Sequence, residues 1–405
     1  MVSGPRRSAG PLLATIAVSL LVAGAIAAAL LAIPHRTEAV RADNAAGDTA
    51  CVSCHAPQAS FAQTAHHLTS TPPTRQSILG SFSRGENVLR TSNPELHFRM
   101  DSTDTGFYQT AVMGRAPDTS SHSERIAFVT GSRKGQSYLY WGDGDRLYQL
   151  PVSYWRGIGW VNSPGYPDGR PNFGRPIPPR CLECHASWFE HVPEPSVINH
   201  YRPSGAILGI SCETCHGSGR EHVRRERSWL RPLLPRAIIN PARLPRARLL
   251  DQCALCHSGT TPLRTAAFSY VPGQPLEQRS DWRTRQDTTE IDVHGNQVAL
   301  LERSRCFRSS QMTCATCHDV HREQRDVVAL SGRCLTCHTM QSCGLFPTRG
   351  QALAGRCVDC HMPALTSNVL IANYRGHPVR VQVRTHWIKV YPLTGAGPLT
   401  AWDHE

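Results

Sequence analysis

The chain has 405 residues, 40% of them hydrophobic, which is enough for one large domain or two smaller ones and excludes wholesale disorder. Its 31 glycines and 30 prolines exclude a clean helical bundle or a regular strand–helix alternation, because so many breakers demand turns and irregular connections. The net charge of +12 comes from arginine, nine of them between Arg220 and Arg248, and the only lysines are Lys134 and Lys389. Such an excess suits planar, bidentate pairing with carboxylates.

In chain order, residues 1–42 come first. Paired Arg6 and Arg7 precede an uncharged Ala/Leu/Ile/Val-rich run over residues 11–34, which at about 1.5 Å per residue is long enough to cross a bilayer. Val40-Arg41-Ala42 would serve as a cleavage site, so anchor and signal peptide are both open, and an uncleaved N-terminal transmembrane helix is the favoured reading. Either way residues 43–405 are expected outside the cytoplasm, on the periplasmic side, and the favoured uncleaved helix would hold them at the inner membrane.

Cys51 opens the first of seven copies of Cys-x-x-Cys-His, which together use fourteen of the sixteen cysteines. The cysteine pairs are Cys51 and Cys54, Cys181 and Cys184, Cys212 and Cys215, Cys253 and Cys256, Cys314 and Cys317, Cys334 and Cys337, and Cys357 and Cys360. On a helical turn two cysteines three apart share a face and can form thioethers with the haem vinyls, while the next residue reaches the iron. The proximal ligands are then His55, His185, His216, His257, His318, His338 and His361. Zinc–thiolate sites and a disulfide framework also use Cys-x-x-Cys, but neither requires a histidine after the second cysteine. Histidine is about one residue in twenty here, so finding it seven times points to seven covalently attached haems c. Their propionates would add about fourteen negative charges, which accounts for the basic balance without nucleic acid. Cys306 and Cys343 are left over, and in an oxidising compartment they are expected to form a disulfide.

Between the first motif (segment 43–94) and the second, residues 95–175 read as a β insertion. Runs at 96–100 and 107–112 flank Asp-Ser-Thr-Asp-Thr-Gly, and 138–141 meets 146–150 across Gly142-Asp143-Gly144-Asp145, giving two hairpins in one small antiparallel sheet. Residues 176–365 carry the other six motifs as short helices joined by proline-rich loops. The expected fold class is α+β, low in regular structure, with stacked haems as the interior and a largely unfolded apoprotein.

Each iron needs a sixth ligand or an open position, and the choice separates electron transfer from chemistry on a substrate. His222, six residues after His216, and His321, three after His318, lie too close to bind the far face of their own iron and would be offered to a neighbouring haem. His66 or His67, His377 and His386 are the next candidates, the last two in the C-terminal segment 366–405.

The chain resembles the multihaem c-type cytochromes with a domain similar to the tetrahaem cytochrome of ammonia oxidisers. The matching segments are Cys51-Val-Ser-Cys-His55 with Thr64-Ala-His66-His67, Arg180-Cys-Leu-Glu-Cys-His185, Gly209-Ile-Ser-Cys-Glu-Thr-Cys-His-Gly217 with Glu221-His222, Met312-Thr-Cys-Ala-Thr-Cys-His-Asp-Val-His321, Cys357-Val-Asp-Cys-His-Met-Pro363 and Thr385-His386-Trp387-Ile388. This resemblance implies bis-histidine ligation, with His67, His222, His321 and His386 as distal ligands. The expected function is single-electron transfer between membrane-linked and periplasmic redox partner proteins. The alternative is a multihaem oxidoreductase with one open haem, acting on a small nitrogen or sulfur compound such as nitrite or hydroxylamine.

Overall fold

The computed structural model describes residues 37–259, 261–283 and 296–391, together with Gly24. The apolar run at 11–34 lies outside these residues apart from Gly24, as do His294 and His404. Among the described residues no helix is long and apolar enough to cross a membrane.

The structure mixes short helices with antiparallel sheets. Both expected hairpins form, Leu96–Thr103 with Gly106–Arg115 and Gly135–Gly142 with Arg146–Gln149, but they lie in different sheets rather than one. The first belongs to a four-stranded meander that begins at Val88–Arg90 and ends at Asp118–Arg125. The second belongs to a seven-stranded sheet that starts with Ser70–Thr71, pairs it with Phe128–Thr130, and closes on Arg175–Pro176. The chain changes sheet between two consecutive residues. The Ile126 amide donates to Phe107 O in the first sheet (2.8 Å), and the Ala127 amide donates to Leu139 O in the second (2.8 Å).

A side-chain interior explains why these strands hold. Leu96, Phe98 and Met100 alternate inward along one strand and meet Tyr138 and Val152 from the other sheet, with Ile126 at the crossing, all almost fully buried. Haems are therefore not the whole interior. The opposite face of the seven-stranded sheet is also apolar: Phe128, Leu139 and Leu147 pack on Leu182, Phe189 and Tyr201. Leu182 lies in the helix Pro179–Glu183, which carries the second cysteine motif, and Phe189 and Tyr201 lie in the hairpin Ala186–His191/Tyr201–Leu208 that follows it. Two-sided strands thus seat the motif-bearing half of the chain on the β region.

The C-terminal segment also forms a hairpin, Ala364–Tyr374 with His377–Arg384. Ala372, Val379 and Val381 pack against Trp155 and Val161. This returns the chain so that Thr385 and His386 face the motif region, while His377 sits exposed at the hairpin turn.

Candidate haem-binding sites

All seven cysteine motifs begin on a short helix: Asp48–Val52, Pro179–Glu183, Cys212–His216, Arg246–His257, Cys314–Cys317, Val327–Cys334 and Cys357–His361. Local signals start several of them. Pro179 occupies a first-turn position, the Asp326 carboxylate caps Val328 and Ala329, and Thr313 with Thr316 forms a reciprocal capping box.

The motif helices touch one another directly. Asp48 accepts from the Cys212 amide (2.9 Å), and Glu213 accepts from the Ala46 and Gly47 amides, joining the first motif to the third. Gln252 donates to Cys215 O (2.8 Å), joining third to fourth, and Arg180 donates to Leu255 O (2.6 Å), joining second to fourth. Arg246 donates to Met312 O (2.9 Å), and Leu250 clusters with Met312 and Cys314, joining fourth to fifth. The helix Val327–Cys334 packs on both Cys314–Cys317 and Cys357–His361, so the fifth, sixth and seventh follow in series. No two cysteines are bonded, Cys306 and Cys343 included, so the expected disulfide is absent. Cys306 lies instead close to Cys317 and Cys334, on the side of the fifth and sixth motifs.

The histidines show a common orientation. His216 Nδ1–H donates to Ile239 O (2.8 Å), His361 Nδ1–H to Lys389 O (3.0 Å) and His222 Nδ1–H to Arg236 O (2.6 Å). His185 Nδ1 shares a hydrogen bond with the Thr69 hydroxyl (2.9 Å), and His67 Nδ1 lies 3.2 Å from the Asp48 carboxylate. For His216, His361 and His222 the carbonyl acceptor makes Nδ1 the N–H, which fixes the tautomer and leaves the Nε2 lone pair free, as a ligating imidazole requires.

Three imidazole pairs then stand out. Ring centres are 6.1 Å apart for His66 and His257, 6.2 Å for His216 and His321, and 6.3 Å for His318 and His386. Two imidazoles on opposite sides of one metal, each with a nitrogen bond of about 2 Å and a ring centre about 1 Å farther back, have centres about 6 Å apart. Each pair contains one motif histidine and one from elsewhere in the chain. Burial, with His66 nearby, holds the pKa of His257 down to about 4, and burial beside His318 does the same for His386. Burial also lowers His66 and His216, so these rings stay neutral and able to donate a lone pair at neutral pH.

On the residues alone His66 and His67 are alternatives for one position, and the resemblance implies His67; the surroundings of the two rings differ. His66 faces His257, whereas His67 stacks edge-on against Phe61 at 5.8 Å. His321 stands opposite His216 of the third motif rather than its own motif histidine, and His386 opposite His318. His55 and His338, both exposed, pair with no second ring among the described residues. The carbonyls that hold Nδ1, on Ile239, Lys389 and Arg236, were missed because a backbone acceptor leaves no residue-type signal.

Zinc would need three or four protein ligands converging on one point, and among the described residues no such group of His, Cys, Asp or Glu exists. Pairs of imidazoles with centres about 6 Å apart fit a metal whose other four ligands come from a macrocycle. The donor set therefore fits haem.

No protein-family model matches the chain, and no solved structure does. Three curated relatives are similar over part of it. The C-type polyheme cytochrome OmcB of Geobacter sulfurreducens, from two strains, is 27% identical over 176 residues, which is 38% of this chain and 21% of that protein. The C-type polyheme cytochrome OmcC of the same organism is 25% identical over 168 residues, 36% of this chain and 21% of that protein. The matched region thus spans about a fifth of the length of these relatives, and the chain is distantly similar to multihaem c-type cytochromes.

Proposed function

We propose, from this distant kinship with polyhaem c-type cytochromes, that the protein is an exported cytochrome carrying seven haems c that moves single electrons between membrane-linked and periplasmic partners. The observation that carries the proposal is the set of three imidazole pairs at 6.1–6.3 Å, each joining a motif histidine to a remote one. The segment at 11–34 would export the chain and hold it at the inner membrane. Likeness of the quoted segments to the tetrahaem domain of ammonia oxidisers supports the same reading.

In this reading the fourteen motif cysteines form the thioethers and the seven motif histidines are proximal ligands. His66 with His257, His321 with His216 and His386 with His318 would hold three of the haems, and His222 and His67 would serve others. When bound, haem iron supplies reversible one-electron exchange without a substrate pocket. The polypeptide's part is orientation: Ile239 O, Lys389 O and Arg236 O hold Nδ1 of His216, His361 and His222, Asp48 lies beside His67, and burial keeps His216 neutral. The direct contacts among all seven motif helices keep neighbouring sites close, as a relay requires.

The test is haem quantitation and low-temperature EPR spin counting on protein matured in a host competent for c-type cytochromes. Seven haems per chain, predominantly low-spin, are expected. Protein that leaves such a host without haem, or with zinc, would overturn the proposal, and a full-spin high-spin haem would move it to the oxidoreductase alternative.

A further inference from the structure

One feature of the surface is not used by the sites themselves. The loop after the helix Arg220–Glu226 carries Trp229, whose side chain is 86% exposed, and Leu233, 59% exposed. Around them Arg224, Arg227, Arg231 and Arg236 are all exposed. Glu221 binds Arg224 and Arg225, and Glu226 pairs with Arg231 at 3.4 Å, which leaves Arg227 and Arg236 without a carboxylate among the described residues. The patch is held firmly from beneath, because buried Arg225 donates to Pro235 O (3.0 Å). The same loop turns its Arg236 carbonyl to His222 and its Ile239 carbonyl to His216. Its inner side therefore orients His216 of the third motif and the candidate ligand His222, while its outer side displays an aromatic ring ringed by arginines.

We infer that this loop is the docking surface for an acidic one-electron carrier protein, an inference that rests on the electron-transfer reading above. Exposed tryptophan and arginine are the residue types that concentrate binding energy at protein interfaces, and an uncompensated basic rim steers an acidic partner. Electron-carrier complexes are small and transient, so one loop of this size suffices. An acidic protein fits better than a lipid surface, because the apolar part is a single compact turn next to a seven-residue helix and not a continuous amphipathic face.

The experiment uses the full haem-loaded protein and measures its reduction by an acidic flavodoxin hydroquinone in stopped flow, with dithionite as a reductant that needs no docking. The variants are Arg227→Glu with Arg231→Glu, and separately Trp229→Ala with Trp229→Phe as its conservative partner. For the wild type the flavodoxin rate should fall steeply with salt. The double charge reversal should lower it about tenfold or more at low ionic strength, and Trp229→Ala should lower it with partial recovery in Trp229→Phe. Dithionite rates and the haem EPR spectrum should not change. Flavodoxin rates indifferent to salt and to these substitutions would overturn the inference while leaving the electron-transfer reading intact. So would altered EPR spectra in the variants, which would assign the arginines to the cofactors, or loss of binding to phosphatidylserine vesicles with unchanged flavodoxin kinetics, which would assign them to a membrane. A wild type whose haems neither reductant can reduce would sink the electron-transfer reading itself.

Discussion

Glu183 lies between the two cysteines of the second motif, 3% exposed, and its carboxylate binds Arg279 at 2.7 Å, Arg180 at 3.0 Å and the Phe268 amide at 2.8 Å. Glu183→Ala would strand two guanidinium groups away from water, and it should cost about 3–5 kcal/mol in guanidinium-chloride unfolding, with Glu183→Gln losing less. Glu213, the first residue between the cysteines of the third motif, accepts from the Ala46, Gly47 and Gly219 amides. The motif read in one dimension assigns the residues between its cysteines no role; burial makes two of them structural anchors. At the same scale the two adjacent histidines are separable by experiment. If the chain carries the proposed haems, His66→Ala should convert one of them from low-spin to high-spin in the EPR spectrum, because His257 loses the ring whose centre lies 6.1 Å from its own. A spectrum unchanged by His66→Ala would place that ligand elsewhere.

The β elements follow different rules from the motif helices. Hairpins at 96–115 and 135–149 were legible because alternation of apolar residues and a glycine-bearing turn are local signals; Gly144 and Asp145 adopt positive φ at the second turn (66° and 56°). Their separation into two sheets was not legible, since it depends on the partner exchange at Ile126 and Ala127. Nor were Ser70–Thr71 and Val88–Arg90, which extend the sheets ahead of the expected insertion, because strands of two and three residues carry no periodic signature. Phe98 is fully buried between the sheets, in a core that contains no motif cysteine. Phe98→Ala should therefore destabilise the protein by about 3–5 kcal/mol while leaving haem content and EPR spectrum unchanged. A parallel loss of haem would mean that the β region and the motif region fold as one unit.

For the whole molecule, charge connects sequence to cofactor load. The bare chain has an isoelectric point of about 9.2 and a net charge of +12, and seven haems would bring about fourteen propionate charges. Isoelectric focusing of the loaded protein should therefore give a value near neutrality, and a value that stays near 9 would argue against full loading. The number and position of the cysteine motifs were set by sequence alone, because thioether attachment and proximal ligation use residues within one helical turn, and such chemistry survives whatever the rest of the chain does. The second imidazole of each pair belongs to another class. His66 meets His257, His216 meets His321 and His318 meets His386 only after the sheets pack face to face, the motif helices dock on one another, and the C-terminal hairpin brings Thr385 and His386 back. Those pairings join residues far apart in the chain, and no local pattern encodes a distance that tertiary packing alone decides.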